Sequence, residues 1–419
     1  MDLPAFRAKP SLCTLPVELT QAILCYLPDL ESLKSAQLTH STLYHAFLGA
    51  EDLITGEVLT REIPTDLFPD AVFAFNASSV EGRWARDKVQ SILYQHRNRQ
   101  IPSSFRLTRK SAFAVYELYR WVRYFARDFL ATALADPWHG LTHPAIPSRP
   151  PTLTEECRVS RALYRFEIHR HLFRMREPYE GYSKDSPDFG VGEQWGYYFR
   201  HFPVWELEQI MSVCEYLFRR MAIYLRPFAT ADARWIEEGI WYYSSHVSLM
   251  THPSPVGTLL TRGLLYMGNV VTADDLDRYE LLANELFRRP FISSLPDIFK
   301  EICNPQLRPH QSFTYYERTL DGQGTDICGS DPGPANAWGT ITPAAAPYEA
   351  ELTLVGKYST HKLRRQGYVF WDEARLAEGG LNNNRACRPL IYHNERVGRW
   401  WFPKQQHMYP IPVVRLPPT

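Results

Sequence analysis

Metal binding is the first chemistry the residue types suggest. His169 and His171 lie two apart in a stretch that reads as helix, so their rings leave from different faces and lack the i, i+4 spacing that brings two imidazoles to one zinc. His139 and His143 have that spacing, but Gly140 and Pro144 argue against a helix there. Asp321, Asp326 and Asp331 stand five apart rather than alternating, which does not supply the oxygen cage of a calcium loop. Phosphate cradles fare no better. Gly322-x-Gly324 is followed by Ile327 where a dinucleotide fingerprint needs its third glycine. Val355-Gly356-Lys357-Tyr358-Ser359 lacks the earlier glycine of a phosphate loop and carries Tyr358 where Ser or Thr follows the lysine. No Gly-x-Ser-x-Gly elbow is present. The expectation is a chain that is not an enzyme and holds no cofactor or metal. Arg158, Arg161 and Arg165 share a helical face, and their forks suit an acidic or phosphorylated partner. With Glu155 and Glu156 beside them, a solvated, salt-bridged face is expected instead.

The elements that would position these residues read as helices to about residue 300. Val115, Leu118, Val122, Phe125 and Phe129 step by three and four, which predicts a buried stripe on a helix from about Lys110 to Leu134, stopped by Asp136-Pro137. A proline-rich link over residues 143–151 leads to Thr152 or Thr154 as the cap of the next helix. Val204, Leu207, Met211, Cys214, Phe218 and Met221 form a second stripe after Phe202-Pro203. Another helix is expected from about Ala273 to Phe287, with Thr272 or Asp274 near its start. From about Glu301 the composition turns rich in Gly, Pro and Asp. Long exposed loops are expected at Asp321 to Pro334 and Thr342 to Tyr348, an ordered segment at Leu363 to Leu376, and an extended tail from Pro403.

A chain of 419 residues with 45% hydrophobic residues can bury a substantial core. Its seven cysteines are scattered, odd in number and never in CxxC spacing, as expected of reduced thiols in the cytoplasm or nucleus. No secretory signal is visible in MDLPAFRAKP, and no stretch approaches the ~18 consecutive apolar residues of a membrane span. Lys plus Arg equals Asp plus Glu at 46 each, which argues against general attraction to nucleic acid or an anionic membrane. Proteins are the expected partners.

The segment Leu15 to Leu33, LPVELTQAILCYLPDLESL, is apolar on two sides. Taken as a helix from about Leu15 to Leu27, it places Leu15, Leu19, Ala22, Ile23 and Tyr26 on one face and Val17 and Leu24 roughly opposite. Pro16 is tolerated in the first turn. Pro28 ends the helix, Asp29 caps a second through about Leu38, and Thr39 to Ala50 makes a third. A unit of about forty residues cannot bury both faces alone.

Leu15-Pro16-x-Glu18-Leu19, Ile23-Leu24, Tyr26-Leu27, Asp29-Leu30 and Leu33, followed by Leu38 and Leu43-Tyr44, resemble the F-box. Three later strings, SRALYRFE from Ser160, FPVWELEQ from Phe202 and LRRQGYVFWD from Leu363, resemble segments of large F-box-like proteins of filamentous fungi. The resemblance implies a mainly α protein with an F-box module over residues 1–55, an α-helical domain over 56–300, and a loop-rich region over 301–419 packed on it. It also implies docking to a Skp-type adaptor, and through it to a cullin scaffold, with Leu15, Pro16, Leu19, Ile23, Leu24, Leu27, Leu30 and Leu33 as the adaptor-binding residues. The remaining chain would recruit an unknown protein as the substrate receptor of a ubiquitin ligase. Two alternatives stand beside this: an adaptor-bound scaffold or regulator without ligase function, and an enzyme with an unrecognised site in residues 60–419.

Overall fold

A computed structural model describes residues 15–80, 84–99, 101, 105–135, 149–173, 189–231, 255–288, 331–341 and 363–379. The protein is mainly α-helical, with no strand among the described residues. Three short helices open the chain: α1 (Val17–Cys25), α2 (Leu30–Thr39) and α3 (Ser41–Leu48). The Asp29 side chain accepts from the Ser32 amide at 2.6 Å and caps α2, while His40 Nδ1 accepts from the Thr42 amide at 3.1 Å and caps α3. Helix α4 (Glu51–Glu62) follows directly, so the expected domain boundary after residue 55 falls inside a helix.

The body is built around one buried helix. Around α8 (Leu153–Leu172) pack α5 (Phe68–Val80), α7 (Arg109–Ala135) and α10 (Val204–Ala231). Helix α7 ends where Asp136-Pro137 was expected to stop it, and its stripe of Val115, Leu118, Val122, Phe125 and Phe129 is buried. The α10 stripe, from Val204 to Met221, is buried as well. Thr152 caps α8 in a capping box: its hydroxyl accepts from the Glu155 amide at 3.2 Å, and Glu155 accepts from the Thr152 amide at 2.8 Å. Helix α6 (Arg86–Arg97) lies against α5, and α9 (Val191–Tyr197) leads through a 3-10 turn at Phe199–His201 into α10. Helices α11 (Pro255–Leu260), α12 (Gly263–Thr272) and α13 (Asp275–Arg288) close one side. Asp274 accepts from the Asp277 amide at 2.9 Å and begins α13.

The C-terminal region contributes α14 (Gly333–Ile341) and α15 (Glu373–Glu378). Gly333 and Pro334 had been expected in an exposed loop. They start a helix whose Ala337 and Trp338 are buried, because the Asp331 carboxylate accepts from the amides of Gly333 at 2.7 Å and Glu373 at 3.1 Å and joins the two segments. The glycine-rich stretch before it, the Thr342 to Tyr348 stretch and the proline-rich tail lie outside the described residues, as do His139, His143 and the Val355-Gly356-Lys357 string.

Two glycines are dictated by packing. Gly263 turns the chain from α11 into α12 with φ +81°, a left-handed conformation that favours glycine. Gly268 lets α12 lie flat on Trp121 of α7, and a Cβ there would overlap the indole. Gly268→Ala is expected to lower stability by about 1–3 kcal/mol through overpacking. Urea unfolding measures this, and a change below the error of the fit would show that the indole moves aside freely.

Candidate docking surface

Helix α1 begins on Pro16, whose carbonyl accepts from the amides of Leu19 and Thr20, both at 3.1 Å. A proline there has no amide to leave unsatisfied. One side of the helix is turned inward: Thr20 and Leu24 are buried, Leu24 to 1% exposure. The other side faces solvent, with Leu19 53%, Ile23 40% and Tyr26 80% exposed, one turn apart along one stripe. Val17, expected opposite that stripe, is also half exposed. Leu38 at the end of α2, Tyr44 and Leu48 on α3 and Leu53 on α4 are further exposed apolar side chains of the same unit.

The eight residues expected at an adaptor contact therefore divide. Pro16, Leu19 and Ile23 are exposed, and Leu15 and Leu27 are half-buried. Leu24, Leu30 and Leu33 belong to the chain's own core. Those three are corrected from contact residues to supporting ones: Leu24 faces inward where α1 packs on α3 and α4, and Leu30 and Leu33 are buried where α2 packs on the same two helices. Tyr26, Tyr44 and Leu48 are outward-facing residues that the expected set left out. The helical spacing from Leu19 to Ile23 to Tyr26 was the available signal for the first of them.

The unit is held firmly on the body. Arg61 donates to the Cys25 carbonyl at 2.6 Å and stacks over the Tyr26 ring at 5.1 Å. Glu62 accepts from the Leu30 amide at 3.3 Å, the Arg109 amide donates to Asp52 at 2.7 Å, and Arg120 pairs with Glu31 at 3.4 Å. Burial pushes the Glu62 carboxyl up to about 7, helped by Asp29 and Glu31 and opposed by the Leu30 amide and Arg123. Burial and Glu57 likewise raise the Cys25 thiol against Arg61, so this cysteine is not an activated nucleophile.

Titratable groups with displaced acidity cluster elsewhere, inside the body. Such clusters mark either active sites or structural ion-pair networks. Here the three arginines expected on a solvated face are buried. Arg158 meets Asp372 at 2.8 Å, Arg161 meets Asp70 at 3.6 Å, and Arg165 meets Glu206 at 3.0 Å. The correction has a clear cause: α5, α10 and the segment around Asp372 each bring a carboxylate to α8, so the charges are matched internally rather than by water. Arg364 makes a forked pair with Glu208 at 2.7 and 2.9 Å, and Arg375 another with Glu155 at 2.8 Å on both arms. The strings from Ser160, Phe202 and Leu363 thus meet in space as one packed polar interior. Burial works against the Glu167 charge, but Arg170, His171 and the Leu264 amide hold its carboxyl down at about 2. His169, buried among Phe173, Tyr198 and Phe199, is pushed down to about 3 and hydrogen-bonds Gln194 at 2.9 Å. Among the described residues no three His, Cys, Asp or Glu side chains are grouped to hold a metal ion, and no helix is long and apolar enough to cross a membrane.

No protein-family model, curated protein or solved structure matches the chain.

Proposed function

We propose that this chain is a receptor subunit: α1 to α3 dock a Skp-type adaptor, and the helical body recruits a protein for a cullin-based ubiquitin ligase, the chemistry taking place elsewhere in the complex. The observation that carries this reading is the exposed stripe of Leu19, Ile23 and Tyr26 on a helix whose opposite side is already spent on the core. Its order with Pro16, Leu30 and Leu33 is that of the F-box. The bonds from Arg61 and Glu62 support the same reading, since a docking unit fixed to its body presents a recruited protein in a constant orientation.

Co-purification with a Skp-type adaptor tests it. Leu19→Asp/Ile23→Asp is expected to weaken capture at least a hundredfold, because fully burying each aliphatic side chain contributes roughly 1.5–3 kcal/mol, with no loss of thermal stability. Leu24→Ala is expected to do the reverse, lowering stability by about 2–5 kcal/mol while the folded fraction still binds. Failure of the native chain to bind, or binding unaffected by the Asp pair, overturns the proposal. Turnover of a bound protein with and without the cullin arm then separates a ligase receptor from a scaffold.

A further inference from the structure

The last turn of α4 reaches the end of α1 and takes hold of the bend that joins it to α2. Arg61 donates to the Cys25 carbonyl at 2.6 Å and to the Leu27 carbonyl at 3.5 Å. One residue on, the Glu62 carboxylate accepts from the Leu30 amide at 3.3 Å. The bend over residues 26–29 is therefore held through its carbonyls on one side and through the amide that follows it on the other. The Cys25 carbonyl is one of those that a helix C-terminus leaves without an intrahelical partner, and an arginine suits it. The carbonyls of Ile23 and Leu24 are taken by the amides of Tyr26 at 3.0 Å and Leu27 at 3.3 Å. Glu62 is itself tied to α7, since the Tyr119 hydroxyl donates to its carbonyl at 3.2 Å.

The same Arg61 guanidinium lies over the Tyr26 ring, 5.1 Å from its centroid. That ring is still the most exposed aromatic side chain among the described residues, so Arg61 covers one face and leaves the rest to a partner. We propose that Arg61 is a positioning residue for docking: it fixes the 26–29 bend and presets the Tyr26 ring as the anchor at the end of the Leu19–Ile23 stripe, so that the docking surface is built from four helices rather than three. Tyrosine is among the residues that dominate binding energy at interfaces, and ordering a loose side chain and its bend at the moment of binding weakens affinity unless it is done beforehand. A cation over an exposed ring adds little to fold stability, so the effect of Arg61 falls on binding rather than on unfolding. The inference rests on the docking reading above.

The test uses the full chain and starts without a partner. With tyrosine selectively isotope-labelled, NMR couplings along the Tyr26 side chain are expected to report one rotamer in the native chain and an average over several in Arg61→Met, with thermal unfolding unchanged. Equal averaging in the two overturns the proposal. Capture of a Skp-type adaptor is then compared. Arg61→Met is expected to weaken it about tenfold, mostly through faster release. Arg61→Lys keeps the charge over the ring but not the reach to two carbonyls, and is expected to recover part of the loss. In a Tyr26→Ala background Arg61→Met is expected to weaken capture by about twofold at most, because the ring it positions is gone; a merely structural role would give the same loss in both backgrounds. Equal losses in the two backgrounds, or no loss from Arg61→Met while Leu19→Asp/Ile23→Asp still weakens capture, overturns the proposal and leaves the docking reading standing. No capture by the native chain overturns both.

Discussion

Arg375→Met is expected to lower the unfolding free energy by about 3–5 kcal/mol, as removal of one member of a buried ion pair does. Both Arg375 and Glu155 are wholly buried. Arg375 grips Glu155 with two arms, donates to the carbonyls of Arg149 and Pro150 at 2.9 Å each, and stacks 5.0 Å from the Trp371 ring centre. Glu155 in turn accepts from the Asp372 amide at 3.0 Å and belongs to the α8 capping box. Burial alone would raise its carboxyl; Arg375, with the amides of Thr152 and Asp372, holds it below the usual range. Taking away the guanidinium leaves a buried carboxylate with amides alone. Urea unfolding of Arg375→Met, Glu155→Met and the double variant measures the coupling, and the double variant is expected to lose less than the sum of the two. Arg127→Met, which breaks the surface pair with Glu156, serves as the control and is expected to change stability by under about 0.5 kcal/mol. A single-variant loss at Arg375 as small as the control's would show that the pair contributes nothing net.

Acid should weaken the fold through His169. In the folded chain its ring stays neutral down to about 3, whereas in the unfolded chain it takes up a proton near 6.5. The unfolded state therefore binds more protons below that point, and stability present at neutral pH is lost as pH falls through this window. Between pH 7 and pH 4.5 the expected loss from this group is about 2.5 kcal/mol. His201, held at about 4, acts in the same direction. Glu62 acts in the opposite one: its carboxyl is raised to about 7, so its contribution is fully present below about 4.5 and fades as pH rises through 7. The difference between the native chain and His169→Phe isolates one group, since the aromatic surroundings accept a ring and Gln194 keeps its bond to the Phe189 carbonyl at 3.0 Å. The variant's stability is expected to fall less steeply between pH 7 and 4.5 than the native chain's. Identical slopes would mean that the ring is protonated in the folded state.

Where structure is local, the sequence discloses it. The α7 and α10 stripes, the Asp29 cap and the Thr152 cap follow from spacing within a turn or two, which is all that helix formation requires. What spacing cannot carry is the identity of a partner far along the chain. Arg158, Arg161 and Arg165 look like a solvated face because Glu155 and Glu156 are the acids in view; their actual partners are Asp70, Glu206 and Asp372, the last of them 214 residues from Arg158. A fully buried helix is ordinarily apolar all round, and α8 departs from that pattern only because three other segments bring carboxylates to it. The same limit applies at α1. Two apolar sides were legible, but that Leu24, Leu30 and Leu33 all face inward depended on how α1 and α2 each pack on α3 and α4.

The interlock of α8 with Arg375 also sets a schedule for the growing polypeptide. Glu155 is synthesised 220 residues before Arg375, which at about 5–20 residues per second is a wait of roughly 10–40 s. Arg158 waits almost as long for Asp372. Throughout that interval the nascent chain holds a helix meant for the interior while its charges still face water. The N-terminal helices, whose caps are local and whose anchoring partners lie between Arg61 and Arg120, complete themselves early. The emerging chain thus offers a finished first unit ahead of an unfinished body, a state in which a chaperone finds work and a ribosome stalled short of residue 375 leaves a product that cannot close.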